Sequence, residues 1–235
     1  SNSVEPLTGG LLQVGGVELN GDKTKAIFAG AEYTGMAPLT NSLYLVDLKA
    51  KQVRKLTPDG DFAYSEAHFL SNQEIICKGN AREHFGINEN ARFYLVNVTD
   101  GSKQLLTPDF ETSTWNSVGS DCRYGGGKST QLDQDYLYFI TTEGDSSYLN
   151  RVDRVGRIEK VTTKPGSVDS YSVHNGEVLF IALRDLFLQE LYSLKDGDEH
   201  PLTTFNRWVN EERRLSSPEA LGFETVPGVT IEGWV

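Results

Sequence analysis

The sequence of 235 residues predicts an all-β protein: a β-propeller of about four antiparallel four-stranded blades, partial or open, followed by a C-terminal connector. Three observations predict this fold class. A phrase repeats four times, turn dipeptides recur at the same place in the repeats, and no long helical periodicity appears. Self-similarity with a period of about 40 to 55 residues is typical of propeller blades, each of which is one four-stranded sheet.

The repeated phrase is clearest in its first two copies. Residues 43–58 read LYLVDL, a turn and VRKLTP, and residues 93–108 read FYLVNV, a turn and KQLLTP. A looser copy covers residues 148–162, and a shorter one covers residues 191–203. The tyrosines that mark the copies are 50, 54 and 44 residues apart, and they are Tyr44, Tyr94, Tyr148 and Tyr192.

Three of the repeats each predict four strands separated by turns. In the first repeat the predicted strands are 11–19, 26–29, 42–48 and 52–57. In the second they are 64–70, 74–78, 92–98 and 103–107, and in the fourth 168–173, 178–183, 190–194 and 200–203. Strong hairpin signals stand between apolar runs at Asp100-Gly101, Asn175-Gly176 and Asp196-Gly197.

The third repeat is irregular, because only three plain strands are predicted in it, at 136–142, 148–152 and 157–161. Before them, residues 114–130 are polar and contain three successive glycines. A phosphate-binding loop is one interpretation, but the GxxxxGK[ST] spacing is absent. The favoured interpretation is a loop that crosses the top of a blade.

The repeats divide the chain into two parts. Residues 1–204 are predicted to form the blades, at about 11–58, 59–108, 109–163 and 164–204. After Thr204 the pattern stops, and residues 205–235 predict a connector followed by the first hairpin of another domain.

Charge and composition exclude several classes of partner. The formal net charge is −11, which argues against nucleic acid and anionic membranes because phosphate groups are bound by clustered Lys and Arg. No apolar run approaches the roughly 20 residues that a membrane-spanning helix needs. We expect a cytoplasmic protein with no cofactor and no metal site. Cys77 and Cys122 lack CxxC spacing and are predicted to be buried thiols in a reducing compartment.

The repeats, taken together with the segment that follows them, resemble one enzyme family. LYLVDL and VRKLTP, then LTTFN at 202–206 and LSSPEALGFETVPGVTIEGWV at 215–235, resemble the prolyl oligopeptidase family of serine peptidases, most of all its acylaminoacyl-peptidase-like branch. In that family a propeller is followed by a connector with a Ser-Pro-Glu-type phrase. A D-G-x-x-I-x-G-W hairpin then opens an α/β-hydrolase domain. Pro227 stands where the family usually has Asp, in a turn that Pro-Gly also makes.

The resemblance implies that this chain is the non-catalytic propeller portion of a peptidase. The family's nucleophile lies in a G-x-S-x-G motif with Asp and His after it, and the sequence contains no such motif. The triad is therefore expected beyond Val235, and the chain alone is expected to be inactive. In the whole enzyme the propeller would filter short or N-blocked peptides and partly cover the hydrolase domain. Because the family's propellers have seven or eight blades, the outer faces of these four are expected to self-associate.

Candidate substrate-facing residues lie on two predicted loops. NAREHFGINENAR at 80–92 looks like the loop between the second and third strands of a blade in the acylaminoacyl-peptidase-like branch. In this loop, Arg82 would pair a substrate carboxylate and Glu83 a substrate amine, with His84 beside them; the alternative is a solvated loop without a role. Arg123 and Tyr124, beside the glycine run, are the second pair of candidates.

Other residues and functions remain open at this point. Trp115 and Trp208 are expected to pack at seams, and His174 to lie on the surface at a strand end. A TolB-like propeller that acts as a protein-interaction scaffold is the alternative function. A sugar-active propeller would need two catalytic carboxylates. Candidates near inner strands, otherwise solvated turn residues, are Asp59, Asp61, Glu66, Asp109, Glu111 and Asp121.

Overall fold

The computed structural model describes residues 4–119, 122 and 127–235. In these residues nearly all regular structure is antiparallel β, arranged as four four-stranded sheets and one two-stranded hairpin. In each four-stranded sheet the strands lie side by side in chain order. The predicted fold class, an all-β partial propeller of about four blades, is confirmed.

The first two sheets follow the clear copies of the repeat. Sheet 1 consists of β1 (Leu12–Leu19), β2 (Lys25–Glu32), β3 (Ser42–Asp47) and β4 (Gln52–Lys55). Sheet 2 consists of β5 (Ala63–Phe69), β6 (Glu74–Asn80), β7 (Arg92–Asn97) and β8 (Lys103–Leu105).

The next two sheets complete the array. Sheet 3 consists of β9 (Thr130–Asp133), β10 (Tyr136–Glu143), β11 (Ser146–Asp153) and β12 (Ile158–Lys160). Sheet 4 consists of β13 (Ser167–His174), β14 (Glu177–Arg184), β15 (Phe187–Lys195) and β16 (Asp198–Pro201).

The segment after sheet 4 contains a short helix and a hairpin. The helix α1 (Arg207–Glu212) is not predicted by the sequence, and it is followed by β17 (Ala220–Val226) and β18 (Val229–Trp234). The Pro227-Gly228 turn joins the two strands, with Gly228 at φ 82°. A hairpin is therefore present where the sequence predicts one.

Strand β9 is the element that the sequence misses in the third repeat. Its residues read TQLD and lack apolar alternation, so no strand is predicted there. The strand is held by its neighbours: it pairs with β10, and the Gln131 side chain clamps β13 of sheet 4. Gln131 Nε2 donates to the Val173 carbonyl at 2.5 Å, and Gln131 Oε1 accepts the Val173 N–H at 3.1 Å. Tertiary contacts therefore determine that these four residues form a strand.

One threonine closes each sheet at the end of the repeated phrase. In each case its hydroxyl oxygen accepts the backbone N–H of a residue on the third strand, at 2.9 to 3.0 Å. These closing threonines and their donors are Thr57 with Leu43, Thr107 with Phe93, Thr162 with Leu149, and Thr203 with Leu191. The fourth strands end before the predicted positions because the threonine replaces the last ladder contact.

The threonine contact corrects the alignment of the third repeat. Thr162 accepts the N–H of Leu149, so Leu149 corresponds to Leu43, Phe93 and Leu191. The residue that corresponds to the other marker tyrosines is therefore Asn150, and Tyr148 lies two positions too early. Asn150 is buried, and its amide donates to Thr141 Oγ1 at 2.8 Å.

The sheets stack face to face through apolar clusters. Between sheets 1 and 2 the cluster includes Ile27, Leu45, Ile75 and Val96. Sheets 2 and 3 share a cluster with Ile76, Phe93, Leu137, Phe139 and Val152. Sheets 3 and 4 share one with Tyr138, Leu149, Val168, Phe180 and Ala182. Faces of neighbouring sheets thus form the core, as in propeller blades.

We expect the Thr162→Val variant to lower the free energy of unfolding by about 1–3 kcal/mol, because it leaves the buried N–H of Leu149 without an acceptor. Thr162 is buried, whereas its neighbour Thr163 is exposed. Thr163→Val is therefore a matched control that should change the stability by less than about 0.5 kcal/mol. Urea unfolding followed by circular dichroism measures both; equal losses in the two variants would contradict the closing role.

Candidate functional site

The strand order brings particular loops to one end of the sheets. Because neighbouring strands are antiparallel and follow in chain order, the loops between second and third strands lie at the same end as the connections from one sheet to the next. The chain leaves sheet 4 from the end of β16, which is at this end too. We call it the connector end, and it holds the loop at 80–92.

Arg82 ties this loop to its neighbour sheet. Its Nη1 donates to the Leu39 carbonyl at 3.1 Å and lies 3.6 Å from Asp61 Oδ1, and its side chain is 10% exposed. Leu39 belongs to the loop between β2 and β3. The guanidinium therefore joins the connector-end loops of sheets 1 and 2.

Glu83 and His84 are exposed on the same loop. The loop is shaped by Glu89, whose Oε2 accepts the N–H of His84 at 3.0 Å and that of Phe85 at 3.5 Å. The bond from the His84 N–H is the main cause that lowers the pKa of Glu89. Phe85 at the loop tip is 71% exposed. The loop thus presents a carboxylate, an imidazole and an aromatic ring to the outside.

The second pair of candidates, Arg123 and Tyr124, lies outside the described residues, as does Asp121. Two neighbouring expectations are wrong. Cys122 is exposed, whereas Cys77 is buried as expected. Trp115 is 62% exposed and does not fill a seam between sheets. Both lie in the polar 114–130 segment.

The connector is fixed to sheet 4 by one carboxylate. Glu190 Oε1 accepts the Asn206 N–H at 2.6 Å, and Oε2 accepts the Phe205 N–H at 3.0 Å and the Thr203 hydroxyl. Burial raises the pKa of Glu190, but these hydrogen bonds outweigh it, so that the pKa is lowered. The first residues of the connector therefore have a defined path across the connector end.

The connector continues over the loops and ends in an exposed hairpin. Asn210 of α1 donates to the Leu186 carbonyl in the loop between β14 and β15, at 3.2 Å. Trp208 is 47% exposed, with the Arg213 guanidinium 5.5 Å from its ring centroid. The hairpin leaves large apolar side chains exposed on both strands: Leu221, Phe223, Val226, Val229, Ile231 and Trp234.

A polar cluster joins the inner strands of three sheets, and the sequence identifies only one of its members. Lys78 is buried, and its Nζ lies 2.7 Å from Glu66 Oε2. His68 Nε2 is 2.8 Å from Thr130 Oγ1 of β9, and Nδ1 is 3.7 Å from Glu18 Oε1 of β1. Glu18, Glu66, His68 and Thr130 border a cavity of about 320 Å³. The prediction that Glu66 is a solvated turn residue is wrong; a lysine inside the apolar strand EIICKGN was the available signal.

Burial is the main cause that lowers the pKa of His68, and the carboxylates of Glu18 and Glu66 oppose it. Tyr171 adds a further tie, since its hydroxyl donates to the Tyr138 carbonyl at 2.8 Å. The Lys78–Glu66 ion pair and the contacts of His68 therefore brace the inner strands.

Three of the remaining candidate carboxylates are engaged in ion pairs. Asp59 pairs with Lys55, Asp61 with Arg82, and Glu111 with Arg92. In the described part of the chain, no group of three or more His, Cys, Asp or Glu is arranged to hold a metal ion. His174 ends β13 and is exposed, as expected. Within the described ranges, no helix has the length and apolar character that a membrane crossing requires.

Comparison with known proteins places the fold among propeller-containing peptidases. No family model matches the sequence. A curated relative, the uncharacterized peptidase YuxL of Bacillus subtilis (strain 168), is 24% identical over 151 residues, which are 62% of this chain and 23% of that protein. The chain therefore spans less than a quarter of the relative's length.

Solved structures match over a larger share of the chain. A puromycin hydrolase matches with a TM-score of 0.64 and 14% identity, over 94% of this chain and 33% of that one. The acylaminoacyl peptidase of Pyrococcus horikoshii matches with 0.60 and 13%, over 94% and 43%. TolB from Acinetobacter baumannii matches with 0.50 and 18%, over 78% and 41%. The resemblance to the propeller portion of prolyl-oligopeptidase-type peptidases is thus confirmed, and at these identities it shows the fold.

We expect only one of the two thiols to react in the native chain. Cys122 is exposed, whereas burial raises the pKa of the Cys77 thiol to about 12, so that the reactive thiolate is scarce at neutral pH. Titration with a disulfide reagent at pH 7.5 should detect one reactive thiol per chain before unfolding and a second one after unfolding. The Cys122→Ser variant should release none before unfolding; a fast native reaction in that variant would contradict the packing of sheet 2.

Proposed function

We propose that this chain is the propeller portion of a serine peptidase of the prolyl oligopeptidase type, and that it selects short peptides for a catalytic domain. The match of 94% of the chain to two solved peptidases supports this. The observation that carries the proposal is the path of the connector. It leaves from the connector end, crosses sheet 4 and continues into an exposed hairpin.

The partner in this proposal is an α/β-hydrolase domain that follows the hairpin. Exposed apolar side chains on both hairpin strands, among them Phe223, Ile231 and Trp234, offer the surface that such a domain would cover. The domain would then face the connector end, where the loop at 80–92 presents Glu83, His84 and Phe85. That loop would border the path by which peptides enter, and its bulk would limit their size.

The chemistry would be acyl transfer at a serine in the catalytic domain, assisted by a histidine and an aspartate. None of these three is assigned to this chain, so the chain supplies access and selection rather than reacting groups. We propose the cytoplasm as its compartment, which fits two cysteines that form no disulfide.

The first test is the activity of the protein encoded by the whole reading frame. We expect it to hydrolyse N-acylated dipeptide anilides and to contain a G-x-S-x-G motif with Asp and His after it. Replacing the serine of that motif by Ala should abolish turnover, and the 235-residue chain alone should give none. A reading frame that encodes no such motif, or hydrolysis by the chain alone, would refute the proposal.

The second test concerns selection at the connector end. In the whole enzyme we expect Phe85→Ser to change kcat/KM for peptide substrates by about threefold to tenfold, because the side chain borders the entry path. Val155→Ser is the matched control, since Val155 is an equally exposed apolar residue on the outer turn between β11 and β12. Equal kcat/KM values for wild type and Phe85→Ser would show that the loop takes no part in substrate selection.

A TolB-like interaction scaffold is the second candidate, and the match to TolB favours it. Such a protein would use its uncovered sheet faces for binding. Strand β1 offers one, since Val14, Val17 and Leu19 are exposed along it. This candidate predicts no hydrolase in the reading frame and self-association or partner binding through these faces. A strictly monomeric chain in light scattering at high concentration would argue against the self-association.

A further inference from the structure

A cavity of about 730 Å³ is lined by sheet 2, by the loop at 80–92 and by the connection from sheet 1 at 58–62. Its floor is aromatic: the ring centroids of Phe62 and Tyr64 are 4.3 Å apart, and those of Phe62 and Tyr94 are 5.1 Å apart. Gly79 lets the Phe62 ring lie against the strand, because a Cβ at this position would be 2.4 Å from the ring. The floor is therefore preformed by packing, and only the edges of the three rings are exposed, since each residue is buried.

Lys103 brings a positive charge to this floor. Its Nζ lies 3.5 Å from the centroid of the Phe62 ring and 5.6 Å from that of Tyr64. Within the described residues no carboxylate forms an ion pair with it. Partial burial is the main cause that lowers the pKa of Lys103. Lys103 is exposed overall, no carboxylate of the described residues lies within ion-pair distance of it, and the charge of Glu83 acts on it from farther away.

The other sheets show that this lone charge is peculiar to sheet 2. In the strand register Lys103 lies opposite Val96, and Val96 is two residues after the marker Tyr94. The corresponding residue of sheet 4 is Glu199, which pairs with Leu194, two residues after Tyr192. By the same register, the corresponding residues of sheets 1 and 3 are apolar, namely Val53 and Ile158.

In sheet 4 the charge of Glu199 is neutralised by an ion pair with an arginine of the same sheet. Arg184 lies at the end of β14, and its Nε and Nη2 are 2.7 and 3.1 Å from the two carboxylate oxygens of Glu199. Both side chains are buried. Cys77 lies opposite the marker Tyr94 in sheet 2, as Phe180 lies opposite Tyr192 in sheet 4. Arg184 is four residues after Phe180, and the residue four positions after Cys77 is Ala81. Sheet 2 therefore has open space where sheet 4 has a charged partner.

The rest of the rim carries five carboxylates and the guanidinium of Arg92, which pairs with Glu111. Asp59 pairs with Lys55, Asp61 with Arg82, and Asp100 accepts the Ser102 N–H at 2.9 Å. Glu89 holds the N–H groups of the loop at 80–92. Among the described residues only Glu83 of this rim has neither an ion pair nor a hydrogen bond of its own. Lys103 and Glu83 thus both border the cavity without forming an ion pair, although the charge of Glu83 acts on Lys103.

We propose that this cavity binds a free amino acid or a short peptide with an aromatic or large apolar side chain. The ligand's carboxylate bonds to the Lys103 ammonium and supplies the missing counter-charge, and its ammonium faces Glu83. Its side chain packs on Phe62, Tyr64 and Tyr94. Charge-assisted hydrogen bonds in a partly desolvated pocket are stronger than those between neutral groups. The inference does not depend on the proposed peptidase function, because the 235-residue chain alone carries the cavity.

Three related compounds separate the two charged contacts. L-Phenylalanine carries both charges, N-acetyl-L-phenylalanine lacks the ammonium, and L-phenylalaninamide lacks the carboxylate. By isothermal titration calorimetry we expect the wild-type chain to bind L-phenylalanine with the highest affinity. The amide should bind at least about tenfold more weakly, which is the loss expected for one charge-assisted hydrogen bond.

Variants assign the contacts to residues. Lys103→Met keeps the apolar stem and removes the charge. It should therefore lower the affinity for L-phenylalanine and for the N-acetyl compound about tenfold and leave the affinity for the amide unchanged. Glu83→Gln should weaken L-phenylalanine and the amide but not the N-acetyl compound. Lys195→Met, at an exposed lysine of sheet 4, is the control that should change nothing. Wild-type chain that shows no saturable binding of L-phenylalanine at millimolar concentration, or Lys103→Met with wild-type affinity, would overturn the proposal.

Discussion

The hydrogen bond between the closing threonine and the third strand is the contact on which each sheet depends. The fourth strand is short and leaves its partner early, so that a buried N–H of the third strand would have no acceptor. The threonine hydroxyl supplies one, and in doing so it fixes where the chain turns toward the next sheet. In sheets 1 and 2 the next residue is a proline, Pro58 or Pro108, which has no N–H to donate and ends the ladder there.

At two of the three junctions between neighbouring four-stranded sheets, a turn glycine makes the same contact. Gly101 has φ 72°, and a Cβ there would lie 2.0 Å from the Leu56 carbonyl oxygen of sheet 1; Gly156 repeats this against Leu106 of sheet 2 at 2.1 Å. At these two junctions the turn glycine thus lies on the residue before the closing threonine of the preceding sheet, whereas a Cβ at Gly197 of sheet 4 would meet nothing within 4 Å.

Side-chain amides add polar ties between the stacked faces. Asn41 accepts the Tyr64 N–H at 2.6 Å and donates to its carbonyl at 2.9 Å, as Gln131 does with Val173 between sheets 3 and 4. These ties satisfy the backbone of inner strands that lack a neighbour on one side. The array is therefore held by apolar faces and by polar contacts at its inner edge, and it positions the loops of the connector end.

The repeat made the fold class predictable, because periodic apolar runs and turn dipeptides depend on local sequence. What escaped prediction depends on tertiary contacts. Strand β9 exists because β10 and β13 hold it, and α1 because it packs on sheet 4. Tyr148 was misaligned because the alignment of the third strand follows from tertiary contacts: Leu149 donates to Thr162, and Asn150 lies opposite Lys160 as Tyr44 lies opposite Lys55. Among the candidate site residues, Arg82 donates to the Leu39 carbonyl, a contact that no sequence pattern shows. That Lys103 has no ion-pair partner among the described residues becomes visible only when the four sheets are compared in register.

Native-state hydrogen exchange of the backbone amides of Leu43, Phe93, Leu149 and Leu191 tests the account most directly. These amides donate to the closing threonines rather than to a neighbouring strand. If the threonines close the sheets as described, the four amides exchange as slowly as the ladder amides in the centre of the same sheets. Exchange of these amides at the rate of exposed loop amides would contradict the account.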